Sequence, residues 1–306
     1  MTQLNAEKIF LIINQKAGHQ KGANVVKIVV PFLTRKGCLV KYSFTNSPGH
    51  ATELALKAAR EGFDLVVAVG GDGTVNEVAQ GLIGTDTPLG IIPMGSGNGL
   101  ARELGISMNM QRSANALIEG KNLQIDVCKI NDQRFLCTSG IGFDAMIADK
   151  MGKTASRGFL KYAKLVIQES IFFEPIDVRM KINGLTIEKP VFLVTFANAS
   201  QFGNNAFIAP NASMTDGLID VVVVRKFPKI YMPVFAMALF LKLIPKFSFV
   251  DCYKTKEIEL QLADTPYYHF DGEPGRLHIS ATIKIDSEKI WVRSRKYRSA
   301  LPSANY

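Results

Sequence analysis

The chain of 306 residues is long enough for one large domain or two ordinary ones, and either would bury a sizeable core. Its composition, 47% hydrophobic and 21% charged, is that of a globular protein and excludes a wholly disordered chain. The formal net charge of +9 indicates an anionic partner, and the lack of a dense Lys/Arg block with interleaved aromatic residues favours a nucleotide or an acidic membrane surface and predicts no nucleic-acid partner.

The first part of the chain, residues 1–124, alternates between strand and helix patterns. Apolar or alternating runs predict strands at residues 9–13, 39–45, 65–69 and 89–92. Apolar residues three and four apart predict a helix after each strand, at residues 25–32 and 50–60, from Thr74 and from Leu100. This alternation is typical of a parallel sheet covered by helices, so we predict a Rossmann-like parallel α/β nucleotide domain over residues 1–124.

Two of the loops that follow these strands are rich in glycine. Residues 70–74 read Gly-Gly-Asp-Gly-Thr and residues 93–99 read Pro-Met-Gly-Ser-Gly-Asn-Gly. Glycine lets a backbone turn sharply and approach a ligand, and a helix capped by Thr74 would aim its free N–H groups into the first loop. A turn that serves only packing is the alternative. Asp72 and the second loop favour a phosphate site at the carboxyl ends of the strands.

From about residue 123 the pattern changes to closely spaced strands. They are predicted at residues 123–130, 134–138, 176–182, 190–198, 218–224, 257–262, 278–285 and 290–292, with helices at residues 158–170 and 228–244. This arrangement predicts a second domain over residues 125–306, an antiparallel β-sandwich whose last segment can pack back on the first domain.

The helix predicted at residues 228–244 is markedly apolar and has lysines at both ends, at Lys226, Lys229, Lys242 and Lys246. It is either a core helix with a solvated rim or a wall for an acyl chain whose lysines meet lipid headgroups. The longest apolar stretch, residues 234–241, is too short to cross a bilayer, so any work on membranes is expected from their surface.

The four cysteines are scattered, at Cys38, Cys128, Cys137 and Cys252. They show no C-x-x-C pairing and no His partners at metal spacing, so we expect no zinc site. Unpaired thiols are typical of a reducing compartment, and the N-terminus lacks the layout of a signal peptide. We therefore expect a cytoplasmic protein.

Three short stretches now combine: residues 70–77, residues 93–98, and the Asp-Gly-Glu-Pro sequence at residues 271–274. In this order and spacing they resemble the catalytic domain of the diacylglycerol kinase family, which includes soluble bacterial lipid kinases and sphingosine kinases. The resemblance covers essentially the full chain. It implies ATP- and Mg²⁺-dependent phosphorylation of a lipid hydroxyl, with the active site in a cleft between the α/β nucleotide domain and the β-sandwich domain.

The resemblance also implies roles for individual residues. Glu273 matches the general base, and Asp72 offers hard oxygen ligands for Mg²⁺ at the phosphates. A structural Mg²⁺ would be held by Ser213, Asp216 and the carbonyl of Leu218, with Asp126 linking it to the cleft. The residues expected to hold ATP are Asn14, Lys16, Gly18, Thr45, Gly70, Gly71, Asp72, Gly73, Thr74, Asn76, Gly95 and Ser96.

The chain departs from the family pattern at three positions. Gln15 and Ala17 replace a proline and a serine in the first loop, and Gly99 replaces an aspartate that is common in diacylglycerol kinases. The last change tilts slightly toward the sphingoid-base branch. Diacylglycerol is still the favoured acceptor, followed by sphingosine or ceramide. A non-catalytic lipid-binding module and an NAD kinase-like enzyme are the alternatives, and a homodimer stays open.

Overall fold

A computed structural model describes residues 6–17, 22–153, 159–264 and 267–295. The chain divides into two compact units, which are described separately. The α/β unit comprises the described residues up to Ile125 together with those from Glu288 onward, and the β-rich unit comprises Asp126–Ser287. Gly18, one of the residues expected to hold ATP, lies outside the described residues.

The α/β unit alternates strands and helices as the sequence predicts. Its elements are β1 (Lys8–Ile13), α1 (Gly22–Arg35), β2 (Leu39–Phe44), α2 (His50–Arg60), β3 (Leu65–Gly70), α3 (Asp72–Leu82), β4 (Leu89–Pro93), α4 (Gly99–Glu103) and α5 (Met110–Glu119). The four strands pair in parallel in the order β4-β3-β1-β2, and Val292 of the C-terminal segment pairs with Leu89. The predicted parallel α/β architecture is confirmed.

The centre of this sheet is apolar on both faces. Every residue of β3 is buried, and its neighbour β1 is buried from Leu11 to Ile13. Continuous apolar strands are required here because helices cover both sides of a parallel sheet. Because neighbouring strands run parallel, their carboxyl ends lie at the same edge of the sheet, where the loops after β1, β3 and β4 begin.

Helix α3 begins earlier than its sequence pattern indicates. It starts at Asp72, with Gly71 in extended conformation as its N-cap, so the prediction that Thr74 caps this helix is wrong. Thr74 is buried inside the first turn, where its hydroxyl accepts a hydrogen bond from the Asn14 amide. Helix α5 was not predicted, although Asn109 caps it by accepting from the backbone N–H groups of Gln111 and Arg112.

The β-rich unit contains mainly antiparallel strands. Its elements are β5 (Lys121–Ile130), β6 (Gln133–Phe135), β7 (Thr138–Gly142), α6 (Phe143–Gly152), α7 (Phe159–Phe172), β8 (Ile176–Ile182), β9 (Leu185–Ala197), β10 (Ile219–Arg225), α8 (Met232–Leu241), β11 (Val250–Thr255), β12 (Glu257–Leu262), β13 (Tyr267–Phe270), β14 (Glu273–Arg276) and β15 (Ser280–Ser294). Strands β5 and β15 contribute residues to both units. The path β13-β7-β9-β8-β12-β15 is antiparallel throughout, and β10 and β11 extend from β9, which confirms the predicted antiparallel β domain.

Several element boundaries in this unit differ from those predicted. The strands predicted at residues 278–285 and 290–292 form one long strand, β15, which begins at Ser280. The strand predicted at residues 134–138 is interrupted, because β6 ends at Phe135 and β7 begins at Thr138. The helix predicted at 228–244 is shorter: α8 lies between two 3-10 turns and ends at Leu241, and its C-cap, Lys242, has a left-handed φ of 60°. Among the described residues, no helix is both long enough and apolar enough to cross a membrane.

Candidate functional site

The two glycine loops of the α/β unit touch through their backbones. A Cβ atom on Gly95 would lie 2.7 Å from the Cα of Gly71, closer than any side-chain carbon can approach. The backbone N–H of Met94 donates to the carbonyl of Gly70 at 2.7 Å. Glycine is therefore required at Gly95, where a side chain would force the loops apart, and a Cβ on Gly71 would make a tight contact, 3.2 Å from the Cα of Gly95.

Asp72 fastens the first loop to the second. Its Oδ2 accepts the backbone N–H of Asn98 at 2.8 Å, and its Oδ1 accepts the backbone N–H of Gly99 at 2.6 Å. Gly99 is the first residue of α4, so Asp72 caps that helix from another part of the chain. Both carboxylate oxygens thus accept backbone donors, and the proposed role of Asp72 toward Mg²⁺ stays a prediction.

Asn98 shapes the second loop and was not among the residues predicted to bind ATP. Its φ of 52° is left-handed, a conformation that asparagine tolerates better than most residues. Its side chain accepts the N–H of Gly95 at 2.9 Å and donates to the carbonyl of Gly95 at 2.7 Å. An asparagine placed among glycines was the sequence signal for this role. Ser96 is exposed at the tip of the loop so formed.

The remaining residues expected to hold ATP lie around the same strand ends. Asn14, directly after β1, donates to Thr74 Oγ1 at 3.0 Å and accepts the N–H of Lys16 at 3.0 Å. Thr45 follows β2, and its N–H donates to the carbonyl of Ile13. Asn76 accepts a hydrogen bond from Gln80 one turn along α3. The loop that follows β1 is thereby tied to the start of α3.

The N-terminus of α3 offers anion-binding chemistry. The N–H groups in the first turn of a helix have no carbonyl partner within the helix, and the helix dipole adds positive potential there. In α3 this turn contains Asp72, exposed Gly73 and buried Thr74. Because Gly73 has no side chain, a ligand can approach the backbone of this turn closely. The arrangement can therefore cradle phosphate oxygens.

Glu273 lies in the β-rich unit, at the start of the second strand of a tight hairpin. The turn before it is made by Asp271 and Gly272, whose φ values of 48° and 82° are both positive, as in a type I′ turn. Glu273 itself is exposed to solvent. Its carboxylate is thus presented on a short, well-defined turn.

Asp271 anchors this hairpin and was not predicted as a functional residue. Its carboxylate accepts the backbone N–H groups of Leu136, Cys137 and Thr138 at 2.8, 2.7 and 3.1 Å. Burial raises the pKa of Asp271 to about 6, although these three donors act in the opposite direction. The Asp-Gly pair signals a turn in the sequence, but nothing in the sequence indicates its partners.

A second buried contact fixes the same hairpin. His269 Nε2 lies 3.3 Å from Asp144 Oδ2, and Thr195 Oγ1 donates to that same oxygen at 3.1 Å. The carbonyl of His269 accepts the hydroxyl of Ser139 at 2.7 Å. Asp144 and His269 are nearly fully buried. With Asp271, they hold the hairpin in place while Glu273 stays exposed.

The residues expected to hold a structural Mg²⁺ are engaged with protein partners. Asp216 Oδ2 lies 3.0 Å from Lys254 Nζ, and Asp216 Oδ1 accepts the N–H of Leu218 at 3.1 Å. Ser213 Oγ lies 3.3 Å from Thr215 Oγ1. Within the described residues, no group of three or more His, Cys, Asp or Glu side chains is placed to hold a metal ion. Because Lys254 already occupies the carboxylate of Asp216, this donor set does not fit a resident Mg²⁺.

The charges around Lys254 shift each other's pKa. Burial raises the pKa of Asp220 to about 6, while the ammonium of Lys254 acts in the opposite direction. Burial alone would lower the pKa of Lys254, but Asp220 and Asp216 outweigh it and raise that pKa above its ordinary value. Lys254 is therefore charged at neutral pH. Nearby, Asp126 Oδ2 accepts the N–H of Gly217 at 2.8 Å.

The β-rich unit also presents an apolar surface, which we call the α7–α8 face. At the end of α7 and in the turn before α8, Phe172 is 80% exposed and Ile230 is 83% exposed. Lys229 joins the two elements by donating to the carbonyl of Ile171. Further exposed residues of this face are Ile167, Tyr231, Val234, Met237 and Leu241. Beside α8 lies a groove of about 470 Å³ whose lining is almost wholly apolar, with Lys246 at its edge.

Two family models match the chain. A model described as the diacylglycerol kinase catalytic domain matches residues 8–130. A model described as the YegS C-terminal NAD kinase beta sandwich-like domain matches residues 138–288. The first match includes both glycine loops, and the second includes the hairpin that carries Glu273.

Similar proteins bear related names. A diacylglycerol kinase of Mycobacterium tuberculosis is 30% identical over 226 residues, covering 71% of this chain and 73% of that protein. A diacylglycerol kinase of Bacillus subtilis is 31% identical over 223 residues, with the same shares covered. A solved chain from Bacillus anthracis str. Sterne aligns with a TM-score of 0.79 at 27% identity and covers 94% of this chain and 98% of that one.

Proposed function

Because this chain belongs to the diacylglycerol kinase family and is a lipid kinase, we propose that it transfers the γ-phosphate of ATP to the hydroxyl of diacylglycerol, giving phosphatidic acid. Membership of a kinase family implies the use of ATP. The choice of diacylglycerol follows the names of the relatives from Mycobacterium tuberculosis and Bacillus subtilis.

The observation that supports this proposal most directly is the junction of the two glycine loops. Asp72 ties the loops together, and the first turn of α3 supplies backbone N–H groups beside them. Phosphoryl transfer depends mainly on positioning and on stabilising charge at the phosphates, and such a cradle provides both. We propose that Mg²⁺ enters as part of the Mg·ATP substrate, with Asp72 as the nearest carboxylate to it.

Glu273 is the proposed general base. It takes the proton of the acceptor hydroxyl, whose oxygen forms a bond to the γ-phosphorus. The bond from that phosphorus to the bridging oxygen breaks, and ADP leaves with the electron pair. An exposed carboxylate on a hairpin held by Asp271 and His269 suits this role, because the base must be accessible and yet fixed in position.

We propose that the α7–α8 face contacts an acidic membrane surface on the cytoplasmic side. Its large exposed apolar side chains, such as Phe172 and Ile230, can enter the boundary between headgroups and acyl chains. The lysines around α8 and the net charge of +9 favour anionic headgroups. The groove beside α8 has the volume range and apolar lining of a ligand pocket and could hold one acyl chain of the acceptor.

The proposal is tested by incubating the purified chain with γ-labelled ATP and Mg²⁺ together with diacylglycerol, sphingosine, ceramide or NAD. We expect the label to pass to diacylglycerol faster than to any other acceptor. Preference for sphingosine or ceramide would move the chain to the sphingoid-base branch. Preference for NAD, or ATP binding without labelling of any lipid, would overturn the proposal.

The role of Glu273 is tested by Glu273→Gln, which keeps the shape of the side chain and removes its basicity. We expect kcat to fall by about 100-fold to 10,000-fold. The free energy of unfolding should be unchanged, because the side chain is exposed. Glu257→Gln, at another exposed strand position, is the matched control and should keep full activity. A Glu273→Gln enzyme within about threefold of the native kcat would remove Glu273 as the base.

A further inference from the structure

Lys254 is surrounded by oxygen atoms inside the β-rich unit. It lies on β11 directly opposite Asp220 on β10. Its Nζ atom is 3.0 Å from Asp216 Oδ2, 3.1 Å from Asp220 Oδ2 and 3.4 Å from the carbonyl oxygen of Asn211. The side chain of Lys254 is only 16% exposed and that of Asp220 only 11%. Two carboxylates and a carbonyl thus converge on one ammonium group.

Without the Lys254 ammonium, these oxygen atoms would suit a small divalent cation. Hard cations such as Mg²⁺ and Ca²⁺ take carboxylate and backbone carbonyl oxygens as ligands. An ammonium group has three donors and no acceptor, so three converging oxygens also suit it. The same carboxylate, that of Asp216, is the one to which the family resemblance assigns a structural Mg²⁺. Lys254 and a metal ion therefore compete for one oxygen.

The two cations cannot share this oxygen at low cost. A Mg²⁺ ion would sit about 2.0–2.1 Å from its carboxylate oxygen, which places it within a few ångströms of Nζ. Like charges at that separation repel strongly in a partly buried site. The second oxygen of Asp216 already accepts the N–H of Leu218, and the hydroxyl of Ser213 contacts Thr215. Occupation by a metal would thus require Lys254 to leave.

We infer that Lys254 supplies, from within the chain, the positive charge that a structural divalent cation would supply at Asp216 and Asp220. The described part of the β-rich unit is accordingly stable without a bound metal ion, and the Mg²⁺ that the reaction needs enters with the nucleotide. The inference concerns stability and metal binding in the absence of substrate, so it stands or falls independently of which lipid is phosphorylated.

The test compares the melting temperature of nucleotide-free protein in a metal chelator and in millimolar Mg²⁺. The native protein should melt at the same temperature in both. Lys254→Met keeps the length of the side chain and removes its charge, so its melting temperature in chelator should fall by about 5 °C or more. Mg²⁺ should restore part of that loss in the variant. Lys256→Met, two residues along and exposed, is the matched control and should behave like the native protein.

Three results would overturn the inference. In the first, the native protein is stabilised by Mg²⁺ without nucleotide. In the second, Lys254→Met is as stable as the native protein. In the third, Lys254→Met is less stable than the native protein but Mg²⁺ does not raise its melting temperature, so that Lys254 only forms an ordinary ion pair. If Lys254→Met does not fold, titration of the native protein with Mn²⁺, followed by electron paramagnetic resonance, decides the question. We expect no tightly bound ion, and one bound ion per chain would overturn the inference.

Discussion

The two units present the groups that we propose to act in the reaction in different ways. The α/β unit offers mainly backbone: glycine loops that touch at Gly71 and Gly95, and the first turn of α3. The β-rich unit offers side chains, with Glu273 on a hairpin and the apolar α7–α8 face. Each unit nevertheless uses an aspartate to fix its site, Asp72 in one and Asp271 in the other. Backbone is suited to phosphates, which any N–H can bind, whereas proton transfer and lipid contact require particular side chains.

The two aspartates also differ in their surroundings. Asp72 is partly exposed and accepts N–H groups from Asn98 and Gly99. Asp271 is also partly exposed as a residue, but its carboxylate accepts three N–H groups, and desolvation raises its pKa to about 6. We therefore expect Asp72 to matter mostly for activity and Asp271 mostly for stability. The predictions below test that contrast.

The largest effect is expected from Asp271→Ala near pH 4. Removing the carboxyl group leaves three buried N–H donors without an acceptor, so we expect the free energy of unfolding to fall by about 4 kcal/mol. Urea denaturation followed by circular dichroism measures this change. Asp177→Ala, at an exposed position on β8, should cost less than about 0.5 kcal/mol. A loss of that small size for Asp271→Ala would show that the hairpin does not depend on this anchor.

The next effect is the pH dependence that Asp271 contributes. Its pKa is about 6 in the folded protein against an ordinary 3.8, so the folded state holds this proton more tightly than the unfolded state. The corresponding stability is complete below the lower value and is lost as pH rises through the higher one, by at most about 3 kcal/mol. The stability gap between the native protein and Asp271→Ala should therefore shrink between pH 4 and pH 7. A constant or widening gap would contradict the raised pKa.

How much of this was predictable from the sequence differs between the units. The parallel sheet was predictable because buried strands such as β3 are continuous apolar runs and the glycine loops follow them directly. Local patterns of this kind depend on residues close in sequence. The start of α3 was misplaced because β3 extends to Gly70 and leaves only Gly71 before the helix.

In the β-rich unit the sequence indicated less of the site. The Asp-Gly turn and Glu273 could be recognised in the sequence, but the segment whose N–H groups donate to Asp271 lies more than a hundred residues earlier in the chain. Likewise, no local pattern places Lys254 beside Asp216, because that contact depends on the pairing of β10 with β11. Long-range pairing decides such contacts, and it could not be deduced from spacing alone.

A smaller effect, on activity, is expected from Asp72→Asn. The amide keeps one oxygen acceptor but turns an NH₂ group toward one of the two N–H donors, so the glycine loops should separate slightly. Misplacement of this order should lower kcat/KM for ATP by about 100-fold, equivalent to about 2.7 kcal/mol. The free energy of unfolding should fall by only about 1 kcal/mol, because the side chain is partly exposed.

Asp86→Asn, at an exposed position between α3 and β4, is the matched control and should keep native kinetics. If Asp72→Asn keeps kcat/KM within about threefold, the clasp between the loops is not needed for catalysis. If it instead unfolds the α/β unit, as judged by circular dichroism, Asp72 is a stability residue like Asp271. Either result would break the contrast between the two aspartates.

The smallest effect separates lipid contact from nucleotide contact. In the double variant Phe172→Ser with Ile230→Ser, two highly exposed apolar side chains are lost from the α7–α8 face. Binding to phosphatidylglycerol vesicles, measured by sedimentation, should weaken about fivefold, since partial insertion of each side chain contributes less than full burial. ATP binding should be unchanged. Leu185→Ser, at a position that is 59% exposed at the start of β9, is the control.

Vesicle binding by the native protein should also weaken as the salt concentration rises, and it should be weaker on phosphatidylcholine, because the attraction between the lysines around α8 and anionic headgroups is screened by salt. If Leu185→Ser weakens vesicle binding as much as the double variant does, the membrane contact is spread over the β-rich unit. If the double variant binds vesicles as tightly as the native protein, the α7–α8 face is not the membrane-binding site.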